Sequence, residues 1–289
     1  MTIQTAGLGD LEKASNVLIG EARFTAEYNS PNIHLVERHQ LGHGENTYRF
    51  LKFGQASMSS LTDGEDMTDS EDFNMTYVDA EPTEVGAKFI ITDKLARELK
   101  PEAMRIAGRM LGDGMGRKRD EDIIALYASL NNAFGATAKY LGNANAAACV
   151  SNTRGLKFPN PVYAVHHPNS IGYLGQAAST LGAAWAGMPE SFSAKALQNF
   201  WTGIKISGVM FFEDGNIAAI AGDTTGYGAI FSKNAMGVVE SKAPYTARER
   251  DESLRATEIV MVADYIAVEI DGTYGASMRY YVSAMSTSA

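Results

Sequence analysis

TDKLARELKPEAMRIAGRMLGDGMGRKRDEDIIALYASLN, residues 92–131, is the stretch from which the rest of the chain is read. It divides into a short helix and a very long one. Thr92 or Asp93 supplies an N-cap for the first, and Pro101 fits the first turn of the second, where a missing N–H leaves no bond unmade. Apolar residues recur at helical spacing through Met104, Ile106, Ala107, Met110 and Leu111, and again through Ile123, Ile124, Leu126, Tyr127 and Leu130. The spacing predicts a helix over 100–131, about 45 Å long at about 1.5 Å per residue. Between its apolar ends lie Gly108, Gly112, Gly114 and Gly116, then a charged run, Arg117, Lys118, Arg119, Asp120, Glu121 and Asp122. Each interior glycine costs about 1 kcal/mol relative to alanine, so four cost about 4 kcal/mol and the helix requires tertiary support. We read it as a spine that spans the molecule and bends at Gly112, Gly114 and Gly116; a surface helix with a polar centre is the simpler alternative.

Upstream of the spine, residues 84–91 alternate, with Val85, Ala87, Phe89 and Ile91 on one face of a strand. Residues 47–53 (TYRFLKF) and 74–78 (NMTYV) are rich in aromatic and β-branched residues and read as two further strands. The polar segment 55–73 between them makes a long hairpin, and loops of that length are uncommon without a function. Its tip carries Asp63, Glu65, Asp66, Asp69, Glu71 and Asp72. The spacing lacks the alternating oxygen ligands and closing glutamate of an EF-hand, so the tip reads as a solvated acidic loop or as one that meets a basic patch on a neighbour. We favour the second. Residues 8–22 form one amphipathic helical stretch, broken by NSPN at 29–32. A single helix cannot build its own core, so residues 1–36 read as an arm that docks elsewhere.

Downstream, 162–165 reads as a strand and Pro168 as the start of a helix; Ser191 or Ser193 caps another that ends at Trp201. Strands are expected at 205–212, 217–221 and 229–232. Their mixed order indicates α+β rather than a wound parallel sheet. A charged run, Arg248, Glu249, Arg250, Asp251 and Glu252, with Arg255 and Glu258 after it, opens a long strand at 256–270. Asp271-Gly272 is a turn, and 277–282 returns as a further strand.

Composition narrows the function. The chain has 289 residues, 45% hydrophobic and 20% charged, as soluble globular proteins do, with no apolar run near the roughly 20 residues of a membrane span. Its N-terminus lacks a signal peptide's basic start and apolar core, and its one cysteine, Cys149, sits in the apolar context AAACV, where packing is the expected role. A formal charge of -9 argues against binding nucleic acid backbones, though not against surrounding them. Catalytic patterns are thin. His39, His43 and Glu45 imitate a metal cluster, but Gly42 and Gly44 contradict a helical HxxxH face. His166-His167 before Pro168 reads as the start of a helix, GDGMGRK at 112–118 lacks the phosphate-loop pattern, and no GxSxG elbow is present. The chain therefore reads as a non-enzyme with no cofactor.

The order of docking arm, acidic-tipped hairpin, strand, spine, mixed block and charged final strand resembles the major capsid protein of tailed bacteriophages, the Hong Kong 97-like fold. LTDGEDM (61–67) and EVGAKFIITDKLARE (84–98) resemble that family's extended loop and its passage into the spine. PVYAVHHPNS (161–170), ISGVMFFEDGNI (206–217) and GAIFSKNAMGVV (228–239) resemble the axial domain, and ERDESLRATEIVMVADYIAVEIDGTYG (249–275) the closing stretch. The resemblance implies an N-terminal arm at 1–36 and a peripheral domain at 37–135, holding the extended loop at about 44–80 and the spine at about 100–131. An axial domain would occupy 136–240, with a return to the peripheral domain at 241–289. It implies a structural protein that self-assembles into pentamers and hexamers, forming an icosahedral shell around phage double-stranded DNA. Assembly would take place in the host bacterial cytoplasm, with either a separate scaffolding protein or a chain that has been processed, a portal and, as an optional partner, a decoration protein, and with no membrane. The acidic tip, with Arg248, Arg250, Asp251 and Arg255, would lie at subunit contacts. The family's covalent cross-link does not carry over: Lys52 lies near the loop, but no acceptor motif accompanies it. Two rivals stay open, an encapsulin-like compartment built on the same fold and, from another class, a metal-dependent hydrolase using His39 and His43.

Overall fold

Two large sheets pack on one long helix, and a two-stranded hairpin is rooted on the first of them, in the computed structural model, which describes residues 31–54, 58, 60, 62–64, 66, 75–98, 101–175, 204–206 and 208–285. The helices expected over 8–22 and ending at Trp201 lie outside these residues, as do Glu65, Asp69, Glu71 and Asp72 of the tip. In chain order the elements are α1 (Asn32–Leu35), β1 (Glu37–Gln40), β2 (Tyr48–Phe53), β3 (Met75–Ala80), β4 (Thr83–Thr92), α2 (Asp93–Glu98) and the long α3 (Pro101–Ala125). Then come β5 (Asn132–Gly135), α4 (Asn143–Gly155), β6 (Val162–His166), β7 (Ile204–Ile206), β8 (Val209–Glu213) and β9 (Thr225–Ser232). The last three are β10 (Met236–Asp251), β11 (Ala256–Glu269) and β12 (Gly275–Tyr281). One sheet runs β1-β10-β11-β4, a second β5-β12-β9-β6-β8-β7, and β2 pairs with β3 alone. The architecture is α+β, with parallel and antiparallel pairs in both larger sheets.

The spine begins at Pro101, as capping chemistry requires, and runs through all four glycines without a break. Its inner stripe explains why it tolerates them. Leu111 packs on Ile91 of β4 and Ile259 of β11, while Met115, Ile123 and Tyr127 enter a core shared by both large sheets, with Val238 and Ala263 on one side and Val165, Ala229 and Phe231 on the other. Burying Leu111, Met115 and Ile123 contributes about 5–9 kcal/mol, more than the roughly 4 kcal/mol the glycines cost. The helix is shorter than its expected end at 131. After Ala125 it tightens into a 3-10 turn, Leu126–Ala128, where both the backbone N–H and the hydroxyl of Ser129 donate to the Leu126 carbonyl. That turn aims Leu130 at Gly275 and lets the Asn131 N–H reach the Gly272 carbonyl, so chain direction is set by the second sheet.

Four further expectations are corrected. The strand read at 205–212 is two, β7 and β8, folded antiparallel through Gly208 at φ +94°, a conformation glycine adopts without steric cost. The strand read at 217–221 is absent; one bridge, Ala219 to Gly226, stands there, and the chain turns at Gly222. The charged run at 248–252 does not open the final strand. Arg248 to Asp251 are the outer end of β10, paired in register with β11 from Arg248 opposite Ile259 to Asp251 opposite Ala256, and Glu252 stands in the turn that follows. On β4 the expected inner face is only partly inward. Ile91 is buried and Val85 half-buried, but Ala87 and Phe89 are exposed.

Candidate functional site

The histidines do not form a centre. His39 on β1 stacks on Tyr48 with ring centroids 4.4 Å apart and holds Glu37 at 2.8 Å through Nε2, while the Glu45 carboxylate accepts the Gly42 N–H at 2.9 Å. His43 is exposed in that turn, and among the described residues no three His, Cys, Asp or Glu gather into a metal-binding group. Cys149 is buried against the Tyr280 hydroxyl, and burial pushes its thiol up, away from the reactive thiolate. His166 is buried, and desolvation lowers it to about 3, so its ring is neutral. His167 starts the helix at 168, its ring Nδ1 accepting from Asn169 N–H and its carbonyl from Ser170 and Ile171.

Exposed apolar surface is where the chain departs from an ordinary folded monomer. In the β2-β3 hairpin, side-chain alternation divides two faces. Phe50 and Ala80 turn inward and pack with Leu41, Val239 and Ile270, while Lys52 Nζ pairs with Asp271 Oδ1 at 3.1 Å. This roots the hairpin in the body. The opposite face carries Arg49, Leu51 and Phe53 across from Asp79, Tyr77 and Met75. Arg49 grips Asp79 through two bonds of 2.7 and 2.9 Å and lies 4.0 Å over the Tyr77 ring. That pairing raises the arginine's pKa and lowers the carboxyl's. Beyond it Leu51, Phe53, Met75 and Tyr77 are 50, 59, 49 and 56% exposed, an apolar strip on a braced ribbon. At the tip, Asp63 sits in a turn with Gly64 at φ +84°, and both Asp63 and Asp66 are exposed.

A second projecting surface is the outer end of β10-β11-β4. Most β10 residues from 243 on are exposed, as are Tyr245, Leu254 and Phe89. Of the charged residues singled out there, Arg250 binds the Asp93 carboxylate through two bonds of 3.0 Å each and also reaches Glu252. This holds Asp93 below the usual carboxylate range and raises the arginine. Asp251 accepts from Ser253 and Leu254 and shapes the tight turn; Arg255 adopts φ +48° there, and Arg248 faces solvent. Arg250 and Asp251 thus brace the blade of their own chain. On the spine, Gly114 and Gly116 are exposed and Gly112 half-buried, and a Cβ at any of the three meets nothing within 4 Å. Crowding does not demand glycine at these positions.

Sequence reasoning missed a buried polar junction. Asn32, at the start of α1, donates its amide to Asp120 on α3 at 2.7 Å and to Asp214 after β8 at 2.6 Å, and accepts the Tyr127 hydroxyl at 2.7 Å. Asn216 adds a bond to each carboxylate, both of 2.9 Å. Asp120 stands in the charged run 117–122, whose other members are exposed or half-buried. The signal that could have found it is its phase: it shares the inner stripe with Ile123 and Tyr127.

No protein-family model matches the chain, and no curated protein matches it by sequence. Solved structures do match. The acid-stable capsid structure of Helicobacter pylori bacteriophage KHP30 gives a TM-score of 0.66 at 11% identity, over 98% of this chain and 100% of that one. The mature capsid of bacteriophage PhiM1 gives 0.65 at 14%, over 97% and 92%. Mycobacterium phage Che8 gives 0.62 at 16%, over 81% and 84%. The chain has the fold of phage capsid proteins. Its α+β architecture is consistent with the Hong Kong 97-like fold.

Proposed function

We propose that this chain is the major capsid protein of a tailed bacteriophage, and that its copies form pentamers and hexamers closing an icosahedral shell around double-stranded DNA. The observation that carries the reading is the hairpin: an apolar strip on a ribbon braced from its root gains nothing from solvent and is covered when a second copy lies against it. The likeness to phage capsids over nearly the whole length of both chains supports the same role. Residues 1–36 then act as the arm, 44–80 as the extended loop and 136–240 as the axial domain at the capsomer centre. Residues 37–135 and 241–289 together make the peripheral domain. The acidic tip meets a basic patch on the adjacent subunit, Arg248 and Arg255 serve contacts at the blade, and Gly112, Gly114 and Gly116 let the spine bend as the shell expands. The role is structural rather than enzymatic. A charge of -9 keeps packaged DNA from adhering to the wall. A separate scaffolding protein, a portal and a decoration protein complete the assembly, which takes place in the host bacterial cytoplasm and ends in the virion. Analytical ultracentrifugation of the full chain, alone and coexpressed with its scaffolding protein, tests this. Capsomers and shells are expected; a monomer at every concentration and in every assembly condition overturns the reading.

A further inference from the structure

The junction of Asn32, Asp120, Tyr127 and Asp214 is closed to water: the four side chains are at most 1% exposed. It joins three separate parts of the chain, the root of the N-terminal segment at Asn32, the spine at Asp120 and Tyr127, and the turn after β8 at Asp214. One amide group of Asn32 bridges both carboxylates, so the contact that fixes α1 depends on their charge state. For Asp214, desolvation first and the neighbouring Asp120 carboxylate after it favour the neutral form.

We propose that this junction is a proton-operated latch, holding residues 31–36 against the spine and the second sheet while Asp214 is protonated and loosening that hold when Asp214 ionises.

The surrounding charges leave the role to the pair. On α1, His34 is exposed. On α3, Lys118 is paired with Asp122, Arg117 with Glu121, and Arg119 lies 2.9 Å from Glu240, close enough for an ion pair though not aligned for a hydrogen bond. On β11, Tyr265 donates to Asp122, and beyond β9 Arg279 is paired with Asp223. On β6, His166 is neutral, with Nε2 at the Met278 carbonyl, and its own carbonyl accepts the Asp214 N–H at 3.0 Å. Glu213, next to Asp214, is exposed. Burial raises Asp214 to about 7, with Asp120 adding to the rise and the bonds from Asn216 and Asn32 opposing it; no cation is among the influences. An unfolded aspartate titrates near 4, so the closed junction takes up a proton that the open one releases. Its hold is complete below about pH 4, weakens as pH rises towards 7, and is level above that.

The test is hydrogen exchange on the full chain from pH 5.5 to 8.5, read as protection factors of the amides at 32–36 after correction for intrinsic exchange. Between a folded value of about 7 and an open one near 4, protection should fall about 30-fold over that range. Asp214→Asn should flatten the profile. Tyr127→Phe, which removes a bond but no group that ionises in this pH range, should lower protection by the same factor at every pH. His34→Gln and His39→Gln should keep the wild-type slope. A flat wild-type profile overturns the latch even if no variant folds, and so does an unchanged slope in Asp214→Asn. Protection restored at pH 8.5 by millimolar calcium and lost again with chelator would overturn it in favour of a cation site.

Discussion

Replacing Gly112, Gly114 and Gly116 by alanine separates what the spine needs in order to fold from what it needs in order to move. None of the three has a left-handed backbone, and a Cβ at each would stand in open space, so the alanines fit the helix as it is. Each then gains about 1 kcal/mol of helix propensity, or about 3 kcal/mol for the triple variant if the sites add. At about 2–4 °C per kcal/mol for a chain of this class, the unassembled subunit should melt about 6–12 °C higher by calorimetry. Natural chains give up such stability where motion is required, and a straightened spine should slow or block conversion of precursor shells to the expanded form. A lower melting temperature would refute the packing around α3. A higher one, with precursor and expanded shells indistinguishable from wild type, would refute the hinge while leaving the fold intact.

Leu51→Ser and Met75→Ser remove exposed apolar surface and leave the Arg49–Tyr77 contact in place, so subunit stability should change by less than about 0.5 kcal/mol each while shell yield collapses; unaffected yield would mean that the strip is not an interface. Neutralising Asp63, Glu65, Asp66 and Asp69 to Asn or Gln should leave the circular dichroism spectrum unchanged and weaken shells most at low salt, where screening is least. Shells of wild-type yield and salt resistance would return the tip to a solvated loop. Asp223 is held at about 2 by the Thr225 hydroxyl and Arg279, so its contribution to stability is complete above about pH 4 and is lost as pH falls towards 2. Arg279→Gln should weaken that acid dependence, as measured by melting temperature between pH 5 and 2, and an unchanged slope would assign the acid loss elsewhere.

What could be read in the sequence was local. The spine announces itself through Pro101 and its apolar stripe, the hairpin through alternating aromatics, and β11 through a run of β-branched residues. β10 was illegible in its outer half because Arg248, Glu249 and Arg250 sit on an exposed blade, where backbone pairing to β11 makes the strand and side chains need not be apolar. The break between β7 and β8 turns on Gly208, whose positive φ no periodicity reports. At the candidate interface the charged residues were visible, but the more telling feature, Leu51 and Phe53 facing Tyr77 and Met75, depends on register between strands more than twenty residues apart in the chain. The buried junction was hidden for a similar reason. Asn32 and Asp214 are 182 residues apart, and only the tertiary fold brings both to Asp120.

The most direct test of the account is an electron cryomicroscopy reconstruction of particles formed by the full chain with its scaffolding protein. The account predicts closed icosahedral shells of pentamers and hexamers, each subunit carrying this fold, with Leu51, Phe53 and Tyr77 of one copy covered by the next. Particles that never close, or shells in which that strip faces solvent in every subunit, would contradict it.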